Sequence, residues 1–241
     1  MAGHSHFANI KHKKDAQDKK KSKILTRVQR NIMVALKTGL PDPDVNSKLR
    51  SAILEAKSAN LPKDKIDAAI KRYSNNSDSD DNYEEMRYNG YAPGGIAIII
   101  ECLTDNKNRT AGEVRAIFSK YGGNLGETGS VEYSFAHIGL IVYQKNAKTI
   151  DEIIEIAIEA EAIDVQEDDQ KFYITTDWTK VHEIAEKVSN KLGDAESISV
   201  IWDAENKIAV SGEQKEKLLK MLDAFENLDD VQDVFSNANF D

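Results

Sequence analysis

The hydrophobic positions of this 241-residue chain keep a helical spacing at first and switch to mixed helix and strand spacings later. From Ala16 to Lys37, residues Ile24, Leu25, Val28, Ile32, Ala35 and Leu36 recur every three or four positions, which marks one face of a helix. Gly39 stops that helix, and Pro41 and Pro43 follow as breakers. A second helix is predicted from about Asp44 to Ala59, with Val45, Leu49, Ile53 and Ala56 on one side. Pro62 opens a third, carrying Ile66, Ile70 and Tyr73. Three short helices with one apolar face each make a small bundle. Residues 1–15 have no helical period and read as a mobile arm. Residues 74–82, polar and acidic, read as a linker.

Beyond the linker, strands and helices alternate. Tyr91 to Gly95 forms a turn, and Ile96 to Leu103 is a buried strand rich in β-branched residues. A helix capped by Thr110 and Glu113 runs to Tyr121 and stops at Gly122-Gly123, and Val131–Phe135 is a strand. Next come strand 138–143, a helix capped by Thr149 and Glu152, and a hairpin of 165–167 with 172–176. A helix from Val181 ended by Gly193 and a strand through Ile198, Val200 and Trp202 complete that unit. Its order is the split βαβ order of a ferredoxin-like fold. The flanking pieces, together with strand 207–210, a helix capped by Ser211 and Gln214, and a strand near 231–235, spell the same order again. The expected class is α+β: an N-terminal helical domain (1–78) followed by two ferredoxin-like α/β domains. One of these (137–204) is inserted in the other (79–136 plus 205–241).

Charge sharpens this picture. The net charge of −9 hides a segregation of signs. Residues 1–72 carry 17 Lys+Arg against 7 Asp+Glu, or +10, and residues 73–241 carry 15 against 34, or −19. A basic segment on an acidic body is the pattern of a nucleic-acid-binding arm. On the first helix, Lys13, Lys20, Lys23, Arg27, Arg30 and Lys37 fall on a side different from the apolar one, and Lys11, Lys14, Lys19 and Lys21 add charge nearby. Several cations on one exposed stripe suit a phosphate backbone. The candidate nucleic-acid-binding residues are therefore Lys11, Lys13, Lys14, Lys19, Lys20, Lys21, Lys23, Arg27 and Arg30.

Other chemistry is less marked. The longest apolar run, Ile96 to Ile100, is too short to span a bilayer, and no apolar stretch follows the basic start, so a cytoplasmic location is expected without membrane association. The single cysteine, Cys102, lies in an apolar strand where a buried thiol is expected. The histidines His4, His6, His12, His137 and His182 have no metal-ligand spacing around them. No catalytic, metal or cofactor site is expected, and the chain is expected not to be an enzyme. Gly122–Ser130 follows a helix and precedes a strand, the reverse of a phosphate-binding loop, and reads as a helix stop plus a tight turn. Asn124, Glu127 and Thr128 are the positions there that could make a contact. Asp105–Arg109 reads as a polar turn. Tyr133 and Phe135 share one face of their predicted strand, without an RNA-recognition signature around them.

Several long motifs resemble the YebC family, the bacterial relatives of the mitochondrial translational activator of cytochrome oxidase. They are MAGHSHFANIKHKKDAQDKKKSKI at 1–24, NGYAPGG at 89–95, LTDNKNRTAGEVR at 103–115, GGNLGETGSV at 122–131 and the closing Asp229–Phe235 stretch. One departure is His6-Phe7, where that family usually has Lys-Trp. The resemblance implies three domains, one helical and two mixed. It also implies either a DNA-binding transcriptional regulator or a ribosome-associated translation factor that relieves stalling at proline-rich stretches. DNA, or ribosomal RNA in the ribosome, is the implied partner; the acidic domains are expected to face outward, toward protein partners or a ribosomal site.

Overall fold

The computed structural model describes residues 21–58, 61–75, 83–145 and 148–240. It is an α+β protein whose N-terminal helices precede antiparallel sheets. The chain divides into two compact units, one combining 1–78 with 137–201 and the other combining 79–136 with 202–241.

In the first unit, helices α1 (Lys21–Thr38), α2 (Ser47–Ser58) and α3 (Lys63–Asn75) enclose a small core of Val28, Ile32, Ala35, Leu49, Ala52, Ala56, Ile66 and Ala69. The second helix starts later than its apolar period suggests. Val45 is left exposed, and Asn46 is buried instead. The Asn46 side-chain oxygen accepts the Leu49 N–H at 3.1 Å, while its amide donates to the carbonyls of Ala35 and Leu40, each at 2.8 Å. One side chain thus closes the end of α1 and opens α2, which satisfies backbone groups that both helix ends leave unpaired.

The second unit contains β1 (Glu84–Ala92), β2 (Ile96–Thr104), α4 (Lys107–Lys120) and β3 (Asn124–Leu125). Strands β1 and β2 form an antiparallel hairpin around the 93–95 turn. The β1 strand is hard to see in sequence because both its faces carry polar residues. Met86, Tyr88 and Ala92 pack into the core beneath the helices, whereas Arg87, Asn89 and Tyr91 point to the other face and bond there. Gly90 has to be glycine, since a Cβ would lie 2.5 Å from the Phe118 ring and 2.6 Å from the Asn124 carbonyl oxygen.

Residues 131–135 do not form the expected strand. Glu132–Ser134 is a 3-10 turn, and β4 (Phe135–Gln144) begins after it. The inserted segment continues with α5 (Ile150–Glu159), β5 (Asp164–Glu167), β6 (Lys171–Asp177), α6 (Val181–Leu192) and β7 (Ser197–Ala204). Its sheet order, β5-β6-β4-β7, is that of a ferredoxin-like fold. The capping box of Thr149 and Glu152 is present at the start of α5.

The chain then returns to the second unit through β8 (Ile208–Val210), α7 (Gly212–Glu226), β9 (Val231–Ser236) and β10 (Ala238–Phe240). The sheet there has the order β3-β1-β2-β9, and β8 pairs with β10 in a separate two-stranded ladder. The strand beside β2 is therefore β1, supplied from ahead of it, and the 207–210 strand stays outside this sheet. Helices α4 and α7 cover one face, where Ile96, Ile98, Ile100, Val114, Phe118, Met221 and Phe225 make the core. Cys102 is buried in that core.

Candidate nucleic-acid interface

The basic helix is described only from Lys21 onward. Lys11, Lys13, Lys14, Lys19 and Lys20 lie outside the described residues, and Lys21 and Lys23 are placed in the first turns of α1. Arg27 and Arg30 follow on the same helix, and both are half-buried. Arg27 reaches the second helix: its guanidinium holds Glu55 at 2.7 Å, with Nε donating to the same oxygen at 2.8 Å. Asn31 donates to the other Glu55 oxygen at 2.9 Å. Sequence reasoning placed Arg27 among the outward cations, because a helical wheel cannot show that a neighbouring helix brings a carboxylate alongside. Its charge is neutralised locally, and its first task is to tie α1 to α2.

The bundle offers further cations that a reading centred on the first helix passes over. Lys48 and Lys57 on α2, and Lys63, Lys65, Lys71 and Arg72 on α3 are all exposed, as is Lys37 of the expected stripe at the end of α1. Arg50 is committed to structure, since its guanidinium donates to the carbonyls of Pro43 and Asp44 at 3.0 and 2.7 Å. It also lies 3.6 Å from Glu186 on α6. Next to it, His182 Nδ1 meets the Ser51 hydroxyl at 3.0 Å. Burial, then the positive charges of Lys48 and Arg50, hold the His182 imidazole below its ordinary pKa. His182 thus has a partner that no sequence pattern revealed, because Ser51 is 131 residues away.

The 103–115 motif proves to be wiring rather than a ligand loop. Asn106, not Thr110, caps α4, its side chain accepting the Arg109 N–H at 3.0 Å. Thr110 is fully buried instead. Its hydroxyl and that of Thr104 bond to Asp230 at 2.8 and 3.0 Å, and Arg109 pairs with the same carboxylate at 2.6 Å. Burial pushes the Asp230 carboxyl up, but the bonds from Arg109, Thr110 and Thr104 outweigh it and hold the pKa below the usual value. Asp105 takes a second contact with Arg109 at 2.8 Å. Two sequence motifs far apart in the chain therefore meet at one buried carboxylate.

On the opposite sheet face, Arg87 stacks on Trp202 at 4.5 Å and bonds to Glu101 and Glu132. The glycine-rich segment lies beyond it, with Asn124, Glu127 and Thr128 exposed. Tyr133 stands 74% exposed, its hydroxyl 3.2 Å from that of Tyr91, while Phe135 is buried. The two aromatics therefore do not share a strand face. An open groove of about 340 Å³ runs between Pro93, Tyr121 and α7. Gln214 on its wall donates to the Pro93 carbonyl at 3.1 Å. No cluster of His, Cys, Asp and Glu suited to a metal ion occurs among the described residues. No helix among them is long and apolar enough to cross a membrane.

Comparison with known proteins covers both parts of the chain. The family model described as TACO1/YebC protein N-terminal domain matches residues 5–76, and that described as TACO1/YebC second and third domain matches 83–238. A probable transcriptional regulatory protein of Rickettsia bellii strain OSU 85-389 is 51% identical over 98% of this chain and 93% of its own. A like-named protein of strain RML369-C is 50% identical over 98% and 94%. The crystal structure of a conserved hypothetical protein from Aquifex aeolicus superposes with a TM-score of 0.80 at 38% identity, over 93% of this chain and 92% of that one. With family models matching 5–76 and 83–238 and relatives aligned over nearly their whole length, the chain belongs to the TACO1/YebC family.

Proposed function

We propose that this protein regulates gene expression by binding nucleic acid through its basic N-terminal segment, as a DNA-binding transcriptional regulator, and that it does so without catalysis. The observation that carries this reading is the segregation of charge. Ten Lys and Arg stand against two Asp in residues 1–37, ahead of a body that is strongly acidic. Such a body repels phosphate, so it restricts binding to one orientation of the molecule. The names of the Rickettsia relatives agree with a role in transcription. The acidic body is left for protein partners, and the site of action is the cytoplasm.

The test is a salt titration of binding. Changing Lys19, Lys20, Lys21 and Lys23 to Gln keeps helix propensity high and leaves the Arg27–Glu55 tie untouched. If each cation neutralises one phosphate, the slope of log affinity against log salt should flatten by about 3.6 units on duplex DNA. On single-stranded RNA the change should be smaller, at about 2.8 units. Unchanged slope and affinity in a normally folded variant would refute the reading. A loss confined to ribosomal RNA would keep the contact but move the function to a translation factor acting on the ribosome.

A further inference from the structure

Helix α5 carries more isoleucine than its core uses. Ile153 and Ala157 are buried, and Ile150 and Ile156 pack beside them. Ile154 and Ile158, one turn apart, form a second apolar stripe on a different side of the helix. Ile154 is half-buried, and Ile158 is 69% exposed. A helix that is apolar on more than one side is ordinarily covered on each of them, and α5 is not.

The turn that follows has a strained residue. The Ala162 N–H donates to the Ala157 carbonyl at 2.9 Å and the Glu161 N–H to that of Ile158 at 3.0 Å, which is a Schellman closure. Such a closure puts one residue in the left-handed region, where glycine is least strained. Here that residue is Glu161, with a φ of 66°, and among the described residues no other non-glycine has a positive φ. Its carboxylate reaches Lys187 only at 3.5 Å, and Lys187 has a nearer partner in Glu183 at 2.9 Å. A long, exposed ion pair does not offset the strain, so the fold gains little from the acidic side chain. Ile163 comes next, 66% exposed, and leads into β5, an edge strand that packs on α5. The two exposed isoleucines therefore flank one short turn with a strained glutamate in it.

We infer that the outer stripe of α5 and the turn after it dock a Lys/Arg-rich protein segment that also carries apolar residues. Apolar residues exposed together mark an interaction surface, and the charge around them names the partner. Asp151 and Glu155 run beside the stripe, Glu159, Glu161 and Asp164 sit at its end, and all five are exposed. The whole inserted segment 137–201 carries 6 Lys+Arg against 14 Asp+Glu. Nucleic acid and anionic lipid are repelled by that field, and a basic polypeptide is attracted by it. Ile158 and Ile163 supply the apolar contact, and Glu161 supplies a charge at the point where the chain turns outward. The inference rests on the reading of the acidic body as the side left for protein partners, and it gives that reading a place and a chemistry.

The experiment uses the full chain and a short labelled amphipathic peptide built of leucine and lysine, followed by anisotropy. Peptides with lysine replaced by glutamate, or leucine by serine, serve as comparisons. The leucine–lysine peptide should bind, and both comparison peptides should bind at least tenfold more weakly. Ile158→Ser, at an exposed position that leaves the core intact, should weaken binding about tenfold. Glu161→Gly should raise the thermal midpoint by relieving strain and still weaken binding about threefold, a split that a purely structural role would not give. Affinity for duplex DNA should be the same in all these proteins, so a failure of the basic segment to bind DNA and a failure of this surface are read separately. Equal binding of the serine–lysine peptide, or an unchanged affinity in Ile158→Ser, would overturn the docking surface. A dimer seen in sedimentation velocity and lost in Ile158→Ser would also overturn it, because the stripe would then belong to a second copy of the chain.

Discussion

Asp230 joins the two separated halves of one unit, and it does so as a charge taken almost entirely out of water. Its carboxylate collects two hydroxyls and a guanidinium from the 104–110 stretch, 120 to 126 residues earlier in the chain. The bonds that lower its pKa also stabilise the fold, and the sign follows directly. The contribution is present above the ordinary carboxylate pKa of 3.8 and is lost as pH falls through the lower folded value. Asp230→Ala leaves Thr104 and Thr110 without their acceptor, and should cost about 2–4 kcal/mol in urea unfolding. His182 acts at milder pH. Its folded pKa lies below the ordinary 6.5, so its neutral form stabilises the fold above that value and the contribution is lost as pH falls below it. The thermal midpoint should fall between pH 7.5 and 5.5, and His182→Gln should flatten that dependence. An equal slope in both proteins would exclude His182 as its source.

At the scale of elements, α1 serves two ends. One side carries the small core of Val28, Ile32 and Ala35, and Arg27 with Asn31 grips Glu55 on α2. The pair is about one-third exposed on each side, so its worth is that of a partly screened ion pair, about 1 kcal/mol. A double-mutant cycle of Arg27→Gln and Glu55→Gln should return a coupling of about that size by denaturant titration. A coupling near zero would return Arg27 to the outward stripe. Strand β1 also has two faces, and its pattern of Met86, Tyr88 and Ala92 against Arg87, Asn89 and Tyr91 is legible as a period of two only once both faces are known to be covered.

At the scale of the whole molecule, the insertion makes one unit depend on both ends of the chain. Strand β2 is bordered by β1 on one side and β9 on the other, and Phe118 meets Phe225 of α7 at 4.9 Å. A fragment of residues 83–136 loses β9, α7 and the Asp230 carboxylate together, so it should not unfold cooperatively when expressed alone. The inserted segment 137–204 keeps its four strands and two helices and should do so. Calorimetry of the two fragments checks this, and a sharp transition in 83–136 would contradict the dependence.

Local chemistry in the sequence determined most of the elements. The 3.6-residue period placed the bundle helices, the Thr149–Glu152 box placed the start of α5, and the β-branched run placed β2. The segregation of charge and the long family motifs were likewise there to read. What the sequence could not decide was which polar side chains would find partners across the fold. Asn106 rather than Thr110 caps α4 because Thr110 is drawn into the core by Asp230, and the polar face of β1 finds its partners in Glu101 and Glu132. Arg27 turns to Glu55, and Ile158 is left uncovered on the outer side of α5. Periodicity and capping act over a few residues and survive in one dimension. Pairing of buried charges, and the reach of a helix over a sheet, depend on residues brought together from 14 to 126 positions apart, and only the tertiary structure supplies them.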